Sequence, residues 1–113
     1  MGKLIPKIVT VASLILMMGV ANAKTFWIDV RTPAEYQEGH VVNAENIPLN
    51  INFANDVLQK GYQVSDTLLL YCRSGNRSGQ AKKLLEEAGF KNAQNVGGFS
   101  ALVATGSIKT TTK

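Results

Sequence analysis

Short apolar runs alternate with stretches of helical periodicity along most of the chain. Thr67-Leu68-Leu69-Leu70-Tyr71 is an apolar run bounded by polar residues, which predicts a strand covered on both faces. Phe26-Trp27-Ile28-Asp29-Val30 predicts another short strand, and Ala44 to Ile47, stopped by Pro48, and Ala93 to Val96 predict two more extended segments. Between them the period changes. Thr32-Pro33-Ala34-Glu35 carries a helix start, with Thr32 as N-cap, Pro33 at N1 and Glu35 at N3 of a capping box, and the short helix ends at Gly39. Asn50 to Lys60 predicts a helix with Ile51, Ala54, Val57 and Leu58 as its apolar stripe and Gly61 as its stop. Ser78 to Ala88 predicts a third, with Ala81, Leu84, Leu85 and Ala88 at i, i+3, i+4 and i+7 and Gly89 at C′. A last helical turn or two runs from Phe99 to Ala104. Strands alternating with helices imply one α/β domain with a parallel sheet and right-handed crossovers. Residues 107–113 are polar and aperiodic, a tail expected to fray.

The first residues read as an export leader. Lys3 and Lys7 give a positive start, Ile8 to Val20 an apolar core shorter than the about 20 residues a membrane span needs, and Ala21-Asn22-Ala23 a cleavage site. The domain plan is therefore a signal peptide over 1–23, a domain over 24–106 and a tail over 107–113, with a periplasmic product that has no stable membrane association. Cleavage leaves 90 residues with ten basic and eight acidic side chains, net +2. That balance is too mild to argue for nucleic acid or membrane surfaces as partners.

Chemistry gathers at Cys72, the only cysteine, placed where the Thr67–Tyr71 strand meets the following helix. Open α/β sheets put ligands at such strand-to-helix junctions, where unpaired N–H groups form an anion-holding nest. A free thiol with a pKa near 8.5 is only about 3% thiolate at pH 7, and helix starts and nearby cations lower that pKa. Arg73 and Arg77 bring charge to the same loop, so the expected result is a reactive thiolate in an anion pocket with Ser74, Gly75 and Asn76 supplying backbone. Gly75 is read as a backbone requirement of the nest, Ser78 as a helix-start cap, and Gly97-Gly98 as room for a neighbouring strand to pass close to the loop. Asp29 and Arg31 stand at the same rim, either orienting the loop or forming a structural ion pair, Arg31 with Asp29 or Glu35. His40, the only histidine, is read as structural, which leaves activation of Cys72 to amides and arginines. One cysteine and one histidine give no basis for a metal site.

Cys72-Arg73-Ser74-Gly75-Asn76-Arg77-Ser78 resembles the active loop of the rhodaneses, the thiosulfate sulfurtransferase family. Asp29-Val30-Arg31-Thr32-Pro33-Ala34-Glu35-Tyr36 with Gly39-His40, then Ala44 to Leu49, then Asn95-Val96-Gly97-Gly98-Phe99 resemble the family's other motifs in order. Leu102 departs from the pattern, where many members carry tryptophan. The resemblance implies a single rhodanese-like three-layer α/β domain with a mostly parallel five-stranded sheet. It also implies a cofactor-free sulfurtransferase: Cys72 takes the outer sulfur of thiosulfate as a persulfide, releases sulfite and passes the sulfur to a thiophilic acceptor such as cyanide or a thiol. Two rivals use the same cradle: a cysteine phosphatase or arsenate reductase, and a non-catalytic sulfur-carrier or thiol-sensing domain. Four residues separate Cys72 from Arg77, one fewer than in the Cys-x5-Arg loop of cysteine phosphatases, which favours sulfur over phosphate.

Overall fold

The computed structural model of the protein describes residues 23–113. The leader expected over 1–23 lies outside them, save its last residue. In chain order the elements are β1 (Thr25–Asp29), α1 (Pro33–Glu38), β2 (His40–Val41), β3 (Glu45–Asn46), α2 (Phe53–Gln59), β4 (Thr67–Cys72), α3 (Asn76–Glu87), β5 (Asn92–Gly98), α4 (Phe99–Ala104) and β6 (Thr110–Thr111). The central sheet has four strands in the order β3-β1-β4-β5, all parallel.

The sheet has four strands where five were expected. His40–Val41 does not join it; it pairs antiparallel with β6 in a separate two-stranded ribbon. Val41 already gives its N–H to the Tyr71 hydroxyl at 3.0 Å, and Val42 gives its own to the Lys109 carbonyl at 2.9 Å. The tail beyond residue 106 is therefore held as an edge partner rather than frayed, and Ile108 packs beneath it.

Side-chain alternation along the buried strands sorts the core into two layers. Ile28, Val30, Leu68, Leu70, Cys72 and Ala93 point toward α2 and α3, where Phe53, Val57, Ala81 and Leu85 meet them. Tyr71 points the other way, into a smaller cluster with Trp27, Val41, Phe99 and Leu102. Leu102, at the position where the family favours tryptophan, is thus half-buried against the sheet's second face. On α2 the expected stripe shifts. Phe53 and Val57 are buried, whereas Ile51 is 91% exposed, because the helix begins at Phe53 after Asn50 caps the backbone N–H of Asn52 at 2.7 Å.

Candidate active site

Cys72 is the last residue of β4, and strand parity turns its side chain toward α3 with Leu68 and Leu70. The chain then loops over the sulfur and enters α3 through Gly75, whose φ of 99° and ψ of −8° are left-handed. A side chain at Gly75 would be strained in that conformation. The turn brings the Gly75 N–H to 3.0 Å from Cys72 Sγ and the Ser78 hydroxyl to 3.4 Å. Burial pushes the thiol's pKa up, but hydrogen bonds from the Ser78 hydroxyl and from the backbone N–H groups of Ser78, Ser74 and Gly75 outweigh it, and the net direction is down. Loop donors, rather than arginines, head the causes that favour the thiolate.

Ser78 is not the helix cap that its position suggests. The left-handed Gly75 starts α3 two residues earlier, at Asn76, without any side-chain cap. Ser78 therefore lies inside the first turn, fully buried, and donates to Asn95 Oδ1 at 2.6 Å as well as facing the sulfur. Asn76 is exposed and accepts from Gln80 on its own helix. Arg73 is exposed, and Arg77 makes a two-pronged bond with Glu35, at 2.8 and 3.0 Å. Of the seven loop residues proposed from sequence, Cys72, Ser74, Gly75 and Ser78 converge on the sulfur; Arg73, Asn76 and Arg77 do not bond it.

Asp29 and Arg31 form the structural pair. Both are buried, Arg31 Nη2 lies 2.6 Å from Asp29 Oδ2, and the same nitrogen donates to the Gly39 carbonyl at 2.6 Å. The Arg31 guanidinium also lies 4.5 Å from the Phe99 ring centroid. Arg31 does not pair with Glu35. Glu35 instead closes the capping box, accepting from the Thr32 N–H at 3.0 Å, and carries Arg77, whose hydrogen bonds together with that of Thr32 pull its carboxyl down from 4.5 to about 2. His40 stacks on Tyr36 with ring centroids 3.5 Å apart and bonds the Tyr36 carbonyl, as befits a structural residue. Beside the loop opens a cleft of about 220 Å³, with Arg31, Glu35, Glu38, Gly39, Arg73 and Phe99 on its walls. Cys72 lies under the loop and has no exposed surface.

Sequence reasoning gave no role to Asn95. Its carboxamide accepts from Ser78 and from the Gly97 N–H at 3.0 Å, and donates to the Gly75 carbonyl at 2.9 Å. An exposed asparagine on an edge strand carries no local signal for such a task; only its place just before the double glycine hinted at it. Gly98 does what was expected of it. A Cβ there would sit 2.5 Å from the Arg73 carbonyl oxygen, so β5 passes the loop at a distance only glycine permits.

Against known proteins, a family profile described as a rhodanese-like domain matches residues 10–105. Thiosulfate sulfurtransferase PspE of Escherichia coli is 44% identical over 80 residues, spanning 68% of this chain and 73% of the relative. Chloroplastic thiosulfate sulfurtransferase 16 of Arabidopsis thaliana is 35% identical over 109 residues, spanning 87% and 86%. Among solved structures, a rhodanese with anions from E. coli superposes with a TM-score of 0.67 at 33% identity, over 79% of this chain and 99% of the other.

Proposed function

The chain belongs to the rhodanese family, and from that premise we propose that it moves the outer sulfur of thiosulfate to a thiophilic acceptor through a persulfide on Cys72. Family membership and the thiosulfate sulfurtransferases among its relatives support sulfurtransferase activity. The observation that carries the finer reading is the donor set on Cys72 Sγ: one N–H at 3.0 Å, a hydroxyl at 3.4 Å, and a pKa lowered by these and the neighbouring amides.

In the first step the Cys72 thiolate attacks the outer sulfur, the new S–S bond forms, and sulfite leaves with the electron pair of the broken one. In the second, a thiolate or cyanide attacks the terminal sulfur and Cys72 departs as thiolate. Charge is conserved in both steps, so neither needs an oxidant. The donors that favour the thiolate serve equally when it returns as leaving group, and they stand ready for the negative persulfide sulfur between the steps. Cys72 has no exposed surface, so the donor reaches the sulfur as the structure over it opens. Arg73, on the cleft wall, is the cation placed to meet thiosulfate as it arrives.

The site is proposed to work in the periplasm, after cleavage behind Ala23. Among the described residues no helix is long and apolar enough to cross a membrane. Intact mass of the exported protein tests both parts. The expected product starts at Lys24 and gains the mass of one sulfur atom with thiosulfate, while Cys72→Ser, similar in size but not ionised at neutral pH, gains none. Turnover retained in Cys72→Ser would remove the nucleophile from this scheme. Cys72-dependent turnover of aryl phosphates exceeding sulfur transfer would promote the phosphatase reading.

A further inference from the structure

Asn95 is bound to the active loop at two points and to its own strand at one. Nδ2 donates to the Gly75 carbonyl at 2.9 Å, while Oδ1 accepts from the Ser78 hydroxyl at 2.6 Å and the Gly97 N–H at 3.0 Å. The two acceptor positions of Oδ1 are thereby filled. A serine hydroxyl has one proton, and Ser78 faces two acceptors, Asn95 Oδ1 at 2.6 Å and Cys72 Sγ at 3.4 Å. The shorter contact to oxygen holds the proton while Cys72 is a thiol. When Cys72 ionises, rotation about the Ser78 Cβ–Oγ bond can deliver that proton to the sulfur, leaving Oδ1 with Gly97 alone.

We propose that Asn95 is a positioning residue for Cys72, its carboxamide fixing Gly75 in the loop and competing with the sulfur for the Ser78 hydroxyl proton. The proposal rests on the reading of Cys72 as the reactive group. Asn95 thereby moderates the thiolate rather than maximising it. A nucleophile whose pKa is pushed too low loses intrinsic reactivity, so a competitor for one of its donors is a means of adjustment. The bulge in β5 builds this contact. Leu70 pairs with Asn95 and Tyr71 with Gly97, and the extra residue, Val96, lets one strand present Asn95 to the loop and Gly98 beneath it. The charged and titratable groups on the neighbouring elements are Asp29 at the end of β1, Arg31 just beyond it, Glu35 on α1, Tyr71 on β4, Arg73 in the loop and Arg77 on α3. β5 and α4 carry none, so Asn95 acts through its dipole and hydrogen bonds.

The test is the pH dependence of iodoacetamide alkylation of Cys72, which needs no sulfur donor and therefore stands apart from the outcome of the thiosulfate experiments. The midpoint of the profile reads the thiol's ionisation and the plateau reads access under the loop. Asn95→Ala frees the Ser78 proton for the sulfur: the midpoint should fall, raising the plateau-normalised rate below it by about 3- to 10-fold, the worth of one hydrogen bond. The plateau should rise as well, because Gly75 loses a tether. In a Ser78→Ala background the same substitution should still raise the plateau but no longer lower the midpoint. Asn95→Asp keeps an acceptor for Ser78 and adds negative charge, so its midpoint should rise. A midpoint unmoved or raised by Asn95→Ala, or a fall that persists without Ser78, would overturn the proposal. Should Asn95→Ala fail to fold by circular dichroism, Asn95→Asp decides, and a midpoint that stays or falls sinks the idea.

Discussion

Replacing Glu35 by Gln should cost stability at neutral pH and cost little in strong acid. The substitution is isosteric and keeps an oxygen to accept the Thr32 N–H, so the capping box survives while the charged partner of Arg77 is lost. The native carboxyl sits at about 2 instead of 4.5, with Arg77 the leading cause. At about 1.4 kcal/mol for each tenfold change in protonation, that displacement is worth at most roughly 3.5 kcal/mol. The pair lies at the rim, with side chains 33% and 20% exposed, and water screens such contacts, which often yield 1 kcal/mol or less. Its two-pronged geometry argues for the upper part of that range, so the expected loss is about 1 kcal/mol, or about 4–8 °C in Tm for a domain of this size. The sign follows from the depressed folded value: the stabilisation is complete above 4.5 and disappears as pH falls toward about 2. Urea unfolding of both proteins between pH 7 and pH 2.5 measures this. The gap between them should be constant down to about pH 5 and close below it. A gap that is absent at pH 7, or equally wide at pH 2.5, would refute an ion pair as its source.

Gly98→Ala should damage the loop from below. Its Cβ would meet the Arg73 carbonyl oxygen at 2.5 Å and the Ser74 Cα at 3.0 Å, both backbone atoms, so the loop itself must move. A loss of about 1–3 kcal/mol and a drop in sulfur transfer on the order of 100-fold are expected, and near-normal turnover would show that the close approach is dispensable. The two arginines should separate. Arg73→Ala should lower kcat/KM for thiosulfate by about 10-fold with Tm unchanged, since it loses a cation on the cleft wall but no protein partner. Arg77→Ala should lower Tm, non-additively with Glu35→Gln, because the two form one contact. Unchanged kcat/KM in Arg73→Ala at low salt would remove it from anion capture.

The chain's local grammar announced most of the scaffold. Apolar runs marked β1 and β4, Gly89 stood at the end of α3 with φ 101°, and the Thr32–Glu35 box formed as spelled. Where the reading slipped, long-range contacts had overridden a local preference. Ser78 is a good cap by type, yet a left-handed glycine three residues earlier starts the helix without one and frees the hydroxyl for the sulfur. Two-residue strands have no periodicity to detect, so the ribbon of β2 and β6 could not be read from polar residues 107–113. Arg77 and Glu35 lie 42 positions apart, and nothing near either names the other. For that reason one of the two arginines expected to hold an anion is already paired with a carboxylate.

That pairing also explains how two parts of the site differ in kind. The floor, Tyr71 and Cys72, belongs to the buried sheet and is fixed by packing on both faces. The wall carrying Glu35 and Glu38, with Gly39 just past its end, is α1, a six-residue helix without a single buried side chain. An isolated helix of that length is not stable in water, so α1 depends on its polar attachments. These are the capping box, the Tyr36 hydroxyl on the Ala44 carbonyl at 2.6 Å, Arg31 on the Gly39 carbonyl, and Glu35 on Arg77. Charge and hydrogen bonding hold the cleft wall, while burial in the sheet holds Cys72. Salt and acid should therefore loosen the cleft wall well before they disturb the geometry at Cys72.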